Sequence, residues 1–329
     1  MLYPLKFKPL FFDKIWGGQK IKTELNLDFG SLPNCGEAWM LSGFDDNPSV
    51  VTNGYLKNNT LPEIIEIYMG DLLGEKVYSR FGQLFPLLIK WIDANDDLSV
   101  QVHPDDELAK EMYGNFLGKT EMWYIKQADK DAKLICGLKD GVSIQQYEEN
   151  IANGRMLSLF KEYDVASGDV YYIPAGTVHA LRSGLLLAEI QETSDLTFRI
   201  YDWDRVDEQG NSRQLHKDEA LRAIKFKGTD GGRVRYASRE NAANSMVHSP
   251  YFQTNYLTLN TSLARDFSET DSFVIYICCE GSGILQTQGS EAVSIAKGEV
   301  VLVPAIFDEI VITPCGEDGR ISLLETYLT

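Results

Sequence analysis

The feature that most constrains the fold is a succession of short apolar runs separated by turn-forming residues. The runs are rich in Val, Ile, Phe and Tyr, and they are bounded by Gly, Pro, Asn or Asp. Examples are FPLLIKWID from Phe85, TEMWYIKQA from Thr120, DVYYIPA from Asp169, FVIYICC from Phe273 and EVVLVPA from Glu299. β-Branched and aromatic residues favour strands, and many short strands in close succession are typical of a sandwich or barrel. We therefore expect a mainly β fold.

Helical patterns are fewer and short. They cover residues 60–70, 105–113, 143–154 and 216–226. Thr60 is a suitable N-cap for the first of them, with Pro62 in its first turn, and His216 opens the last. The sequence thus predicts a β fold with a few short helices.

Length and composition bound the number of domains. The chain has 329 residues, 44% of them hydrophobic, which is enough for one large core or two smaller ones. The glycine-rich segment KGTDGGR, residues 227–233, follows a predicted helix and precedes a new set of strands. It predicts a boundary between a first domain at residues 1–230 and a second at residues 231–329.

The charge and the cysteines exclude several classes of partner and site. The net charge is −17 and no basic run offsets it, so we expect no nucleic-acid partner. No apolar run approaches the roughly 18 residues of a membrane-spanning helix, and we expect a cytoplasmic protein without a membrane partner. Five cysteines without C-x-x-C spacing predict neither a disulfide framework nor a cysteine-ligated zinc site. The sequence makes no prediction of the oligomeric state.

One segment is repeated within the chain. The frame Gly-[Asp/Glu]-Val-x-x-[Ile/Val]-Pro-Ala begins at Gly168 and again at Gly298, which predicts that one structural unit is used twice. The copies differ at the position of the candidate metal ligand, where the first has His179 and the second has Glu309. The second copy also lacks a preceding Gln-x-His, and we expect it to hold no metal.

Polar residues in three segments have the character of metal ligands. Gln101 and His103 lie two residues apart in LSVQVHPDDE, so on a strand they share one face, as a polar patch or as half of a metal site. His179 ends the frame G-x5-P-x-G-x2-H, which resembles the second motif of the cupin superfamily; the alternative is a surface turn histidine. Glu121 heads an alternating strand and adds a carboxylate, unless it is a solvated strand-end acid. Nitrogen and oxygen ligands of these types suit zinc.

Longer segments resemble the type I mannose-6-phosphate isomerase family, in its short bacterial form. The similar segments are PLFFDKIWGG from Pro9, GEAWMLS from Gly36, FPLLIKWIDANDDLSVQVHPDD from Phe85, GKTEMWY from Gly118, IPAGTVHAL from Ile173 and TSDLTFRIYDWDR from Thr193. They span residues 9–205, and the Phe85 segment is the most specific. The last hundred residues resemble the family only as a trailing degenerate cupin.

The resemblance implies a fold, a metal and a site. It implies two cupin-type jelly-roll barrels, the first catalytic and the second degenerate. It implies one Zn²⁺ per chain, a catalytic Arg199 and a sugar phosphate substrate. The implied metal ligands are Gln101, His103, Glu121 and His179. The implied substrate-binding residues are Ser99, Lys119, Glu189, Asp195 and Arg205. Larger family members have a tyrosine two residues past the ligand histidine, where this chain has Leu181.

The implied reaction interconverts mannose 6-phosphate and fructose 6-phosphate through an enediol. Arg199 would stabilise the enediolate or orient the substrate, because arginine does not lose its proton at working pH. Proton transfer is then left to Glu189, Lys119, a ligand histidine or bound water. Two alternatives use the same barrel, an iron-dependent oxygenase and a non-catalytic sugar-phosphate sensor. Metal content separates the oxygenase from the isomerase, since oxygenases need redox-active iron.

Overall fold

The computed structural model describes residues 2–114, 117–206, 209–227, 231–316 and 318–328. The strands in chain order are β1 Leu5–Lys6, β2 Leu10–Phe12, β3 Glu37–Leu41, β4 Gly43–Phe44, β5 Asn47–Pro48, β6 Leu87–Ala94, β7 Val100–Val102, β8 Glu121–Ala128, β9 Lys133–Leu138, β10 Phe160–Asp164, β11 Val170–Ile173, β12 His179–Leu181, β13 Leu185–Glu192, β14 Phe198–Tyr201, β15 Gly232–Val234, β16 Asn244–His248, β17 Gln253–Leu259, β18 Leu263–Asp266, β19 Val274–Thr287, β20 Val293–Ala296, β21 Val300–Val303, β22 Glu309–Cys315 and β23 Ile321–Tyr327. The helices are α1 Lys20–Thr23, α2 Leu61–Leu73, α3 Glu75–Phe81, α4 Asp106–Tyr113, α5 Ile144–Ala152 and α6 Lys217–Ala223, with a 3₁₀ turn at Met156–Leu159.

The strands pair antiparallel and form three larger sheets within the described residues. One sheet has the order β15-β11-β8-β13-β6-β3-β2, and a second has the order β10-β9-β12-β7-β14. The third contains β1-β21-β19-β23-β17-β16, with β18, β20 and β22 attached. The expected mainly β fold is confirmed. The pairings of the described strands do not close a barrel, and the two-barrel expectation stays a prediction.

Strands from both ends of the chain tie the sheets together. β1 pairs with β21 near the C-terminus, and β15, which follows the expected domain boundary, pairs with β11 of the first part. The buried Trp91 indole on β6 donates a hydrogen bond to the Gly298 carbonyl at 2.9 Å. The boundary at residue 230 falls on residues 228–230, which lie outside the described part of the chain, and it stays a prediction.

Each helix predicted from the sequence is present. Thr60 caps α2 and forms a capping box with Glu63, and α6 begins just after His216. The sequence analysis missed α3, and its N-terminus shows why. The Glu75 and Lys76 backbone N–H groups donate to the Asp271 carboxylate, 196 residues away from Glu75. A cap supplied from so far along the chain leaves no local signal. Among the described helices, none is long and apolar enough to cross a membrane.

The repeated frame adopts the same local structure in both copies. Gly168 and Gly298 have φ values of 87° and 88°, in the left-handed region that favours glycine. β11 and β21 follow them, and the next strands, β12 and β22, begin at His179 and Glu309. The two copies therefore place different side chains at the same point of one structural unit.

Candidate active site

The predicted ligands come from two neighbouring sheets. Gln101 lies on β7 and His103 just after it, His179 begins β12 in the same sheet, and Glu121 begins β8 in the sheet that also carries β13. In the strand register, His179 pairs with Gln101 from one side of β7, and Arg199 pairs with Gln101 from the other. Register alone thus brings residues 78 and 98 positions apart from Gln101 to adjacent places.

A tight turn before β12 positions His179. Gly176 has a φ of 87°, and its N–H donates to the His103 carbonyl at 2.9 Å. A Cβ atom at this position would lie 2.7 Å from Lys225 Cγ and 2.9 Å from the Ala223 carbonyl oxygen. Glycine is therefore required twice over, for backbone conformation and for space.

His103, Glu121 and His179 form a buried cluster whose ligand atoms all lie within 4.8 Å of one another. The His103 Nδ1 atom is 2.7 Å from the Leu196 carbonyl, and the His179 Nδ1 atom is 2.8 Å from the Thr177 carbonyl. Each Nδ1–H therefore donates to backbone, which leaves the Nε2 lone pair of each ring facing the cluster. The buried atoms His103 Nε2 and Glu121 Oε1 have no hydrogen-bond partner in the described part of the chain. A divalent cation fits this donor set.

The charge states of the two histidines suit a cation, and the carboxylate of the third ligand is influenced by a neighbouring lysine. Burial lowers the pKa of His179 to about 4 and holds that of His103 well below its ordinary range, so both rings are neutral at neutral pH. Burial raises the pKa of Glu121 to about 7, against the opposing charge of Lys119. Lys119 Nζ lies 2.9 Å from Glu121 Oε2.

Gln101 lies against the cluster. Its Nε2 atom is 3.3 Å from His179 Nε2. Turning the amide over presents Oε1, a neutral oxygen ligand, at the same place. Gln101 is thus in reach of a cation held by the other three residues.

A cleft of about 440 Å³ opens beside the cluster. Gln101 and Lys119 line it and contact cluster members, so they join the cleft to the cluster. The predicted site residues that line it are Ser99, Gln101, Lys119, Glu189, Asp195 and Arg199. The structure therefore brings the predicted substrate residues together with the predicted ligands, with Arg205 as the exception.

The cleft also contains an ion-pair row that sequence reasoning missed. Lys90 Nζ lies 3.1 Å from Glu189 Oε1 and 3.8 Å from Glu37 Oε2, and Lys14 Nζ lies 3.2 Å from Glu37 Oε1. The Trp123 indole donates to Glu189 Oε2 at 2.9 Å. Burial would raise the pKa of Glu189, but Lys90 and Lys119 outweigh it and lower that pKa to about 2. Lys90 lies within the strand-like run FPLLIKWID, where a charged residue between apolar neighbours was the available signal.

Comparisons with known proteins identify the family of the chain. The catalytic-domain model of type I phosphomannose isomerases matches residues 5–147, and the cupin-domain model of mannose-6-phosphate isomerases matches residues 242–320. The chain is 35% identical over 309 residues to a mannose-6-phosphate isomerase of Bacillus subtilis, covering 92% of this chain and 93% of the relative. The chain belongs to the type I mannose-6-phosphate isomerase family.

A second relative and a solved structure support the assignment. A mannose-6-phosphate isomerase of Streptococcus mutans is 34% identical over 305 residues, covering 92% of this chain and 93% of the relative. The crystal structure of the mannose 6-phosphate isomerase from Bacillus subtilis matches with a TM-score of 0.85 at 32% identity, over 98% of this chain and 99% of that one. The chain is therefore an isomerase, and its cupin character is confirmed.

The arginines of this family member are arranged differently from the sequence expectation. Arg205 does not line the cleft among the described residues; its Nη2 donates to Asp202 Oδ1 at 2.6 Å and its Nη1 to the Asp97 carbonyl at 2.6 Å. Arg213, which sequence reasoning missed, lines the cleft and pairs with the same Asp202 carboxylate. Arg199 lines the cleft beside it, and its Nη1 donates to the Gln214 carbonyl at 2.9 Å. The assignment of Arg205 to the substrate stays a prediction.

Proposed function

We propose that this isomerase interconverts mannose 6-phosphate and fructose 6-phosphate, with one Zn²⁺ held by Gln101, His103, Glu121 and His179. The observation that carries the proposal is the buried His–Glu–His cluster, whose ligand atoms lie within 4.8 Å of one another beside a charged cleft. The names of the relatives support the substrate, and the nitrogen and oxygen ligands support zinc.

The reaction determines what the residues must do. Moving a proton between C1 and C2 through an enediol requires positive charge near two sugar oxygens and a group that carries the proton. Bound zinc would supply Lewis-acid polarisation of those oxygens. Arg199 carries a permanent positive charge and either stabilises the enediolate or orients the sugar.

Two side chains that line the cleft beside the cluster can move the proton. Glu189 is ionised at neutral pH because Lys90 and Lys119 lower its pKa, and an ionised carboxylate is the form that accepts a proton. Burial by itself would lower the pKa of Lys119, but the charges of Glu121 and Glu189 outweigh burial and raise that pKa. Lys119 is therefore protonated at neutral pH and can donate a proton. Both residues are largely buried, which limits their contact with bulk water.

A coupled assay tests the proposal directly. Fructose 6-phosphate formation from mannose 6-phosphate is followed with zinc-loaded protein, with protein treated with a chelator, and after zinc is restored. We expect turnover in the first sample, its loss in the second and its return in the third. Zinc-loaded protein without turnover would refute the substrate assignment, and turnover that survives complete metal removal would refute the metal.

Elemental analysis of the same preparation addresses the remaining alternatives. We expect zinc at one ion per chain. Tightly bound iron, together with absent isomerase turnover, would favour the oxygenase. Zinc with mannose 6-phosphate binding but without turnover would favour the non-catalytic sensor.

A further inference from the structure

The two ends of the cleft differ in charge. At the end next to the cluster, acids balance the lysines, since Lys90 pairs with Glu189 and Lys119 with Glu121. Asp195 also lines the cleft, and the carbonyl of the next residue, Leu196, accepts a hydrogen bond from His103 Nδ1. Apart from the proposed Zn²⁺, which the reacting oxygens of the sugar would occupy, the groups at this end therefore leave no large excess of positive charge for an anion.

The other end carries an excess of positive charge. Three guanidinium groups, those of Arg199, Arg205 and Arg213, lie around one carboxylate, that of Asp202. Three positive charges and one negative charge leave a net charge of +2. The nearby Asp97 carboxylate does not change this sum, because it pairs with Arg182 at 2.9 Å.

The chemistry of the proposed substrate selects the arginine end for its phosphate. The reacting carbons are C1 and C2, and the phosphate is on C6, at the opposite end of the sugar. If C1 and C2 lie at the cluster, the phosphate lies away from it. A phosphate monoester carries a charge of about −1.5 to −2 at neutral pH, which matches the net +2.

Among the arginines there, the contacts favour Arg213 as the phosphate ligand. Arg213 lines the cleft, and its Nε donates to Asp202 Oδ2 at 2.7 Å while its Nη2 donates to Asp202 Oδ1. This two-point contact fixes the guanidinium plane and leaves further N–H donors of the group for an anion. Arg205 is instead held by Asp202 and by the Asp97 carbonyl, and so supports the arrangement.

We propose that Arg213 binds the substrate phosphate and that Asp202 orients it for this role. This inference rests on the proposed function, since it takes the ligand to be a sugar phosphate. Arg199, whose buried Nε has no hydrogen-bond partner among the described residues, pairs with Gln101 in the strand register and lies close enough to Arg213 for their charges to interact.

The test compares zinc-loaded wild type with Arg213→Gln, Arg213→Lys and the control Arg222→Gln. Arg222 is an exposed arginine on α6 that pairs with Glu111 and does not line the cleft among the described residues. Steady-state kinetics give kcat and KM for mannose 6-phosphate, and inorganic phosphate is the probe for competitive inhibition. Metal content and thermal unfolding are measured on each preparation.

For Arg213→Gln we expect KM and the inhibition constant of phosphate to rise about 10- to 100-fold, the loss expected for one charged hydrogen-bond donor, with kcat nearly unchanged. For Arg213→Lys both constants should rise less, because lysine keeps the positive charge but loses the two-point contact with Asp202. Arg222→Gln should match wild type. Unchanged KM and phosphate inhibition in folded Arg213→Gln, or a loss in kcat alone, would overturn the inference. If Arg213→Gln fails to fold, the Arg213→Lys variant decides by the same two constants.

Failure of the inference and failure of the proposed function give different results. If wild type does not turn over mannose 6-phosphate, the proposed function fails. In that case calorimetric titration with inorganic phosphate still tests Arg213, since the Arg213→Gln variant should bind phosphate more weakly than wild type and than Arg222→Gln. Equal phosphate affinity in all three proteins would refute the role of Arg213 alone.

Discussion

Replacing Lys90 by methionine tests the ion-pair row beside the cluster. Lys90 is buried on β6, with Nζ 3.1 Å from Glu189 Oε1 and 3.8 Å from Glu37 Oε2. Methionine has nearly the same length and no charge, so the Lys90→Met variant keeps the packing and removes the cation shared by the buried Glu189 and the half-buried Glu37. Removing one partner of a buried ion pair costs about 3–5 kcal/mol.

The pKa of Glu189 gives a second way to obtain the free energy that the ion-pair row contributes to folding. Despite burial, Lys90 and Lys119 lower this pKa from 4.5 to about 2. At 1.36 kcal/mol per pKa unit, this shift contributes about 3 kcal/mol to the free energy of unfolding at neutral pH. Because the folded-state pKa of an acid is lowered, the contribution is present above about pH 4.5 and is lost as the pH falls from there towards 2.

Chemical denaturation at about pH 7 and at about pH 4.5 provides the assay. Lys90→Met should lower the free energy of unfolding by about 3 kcal/mol at the higher pH. The loss should be smaller at the lower pH, because without Lys90 burial raises the pKa of Glu189 and the carboxylate is then protonated. The control is Lys22→Met, which breaks a pair of similar length, 3.0 Å to Asp28, on the exposed surface.

We expect Lys22→Met to have little effect, because solvent screens an exposed pair. If Lys90→Met were no more destabilising than Lys22→Met at neutral pH, the row would not stabilise the fold as argued. A loss that is the same at both pH values would instead point to packing, not charge.

Three further predictions concern the metal, the reaction and a buried acid. His179→Ala should lower the zinc content measured by elemental analysis while circular dichroism stays unchanged, because the cluster loses a ligand; full occupancy would remove His179 from the site. Arg199→Ala should keep its metal and lower kcat about 10²-fold, which corresponds to a loss of about 2.7 kcal/mol of transition-state stabilisation. A rise in KM alone would instead indicate that Arg199 binds the substrate without acting in the reaction. Burial raises the pKa of Glu192 to about 9, so at neutral pH folding must take up a proton that the unfolded chain has released. Glu192→Gln removes this proton uptake and can still accept the hydrogen bond from the Thr120 N–H. It should therefore raise the free energy of unfolding by up to about 3 kcal/mol near pH 7, and the gain should grow as the pH rises from about 4.5 to 9. A gain that does not depend on pH would show that it does not come from the titration of Glu192.

Local patterns predicted much of the fold and the ligands. The period of two places Gln101 and His103 on one face, beside the same cluster, and the Pro174–Gly176 turn directs His179 into that cluster. Thr60 and Glu63 cap α2 from within four residues. Each of these features depends on residues close together in the chain, so the sequence carries its own evidence for them.

Contacts between distant segments decided the rest. The start of α3 depends on Asp271, and the pairing of Lys90 depends on Glu189 and Glu37. Asp202 pairs with two arginines, and the sequence does not tell which of them lines the cleft. In the structure Arg213 lines it and, among the described residues, Arg205 does not. Such contacts follow from strand order and register, and no residue near them in sequence encodes the partner. The sequence by itself therefore determined a β fold and a His–Glu–His site of the type I mannose-6-phosphate isomerase family. Only the tertiary structure decided which charges lie beside that site, because burial and pairing set the charge of a side chain and both arise from residues far apart in the chain.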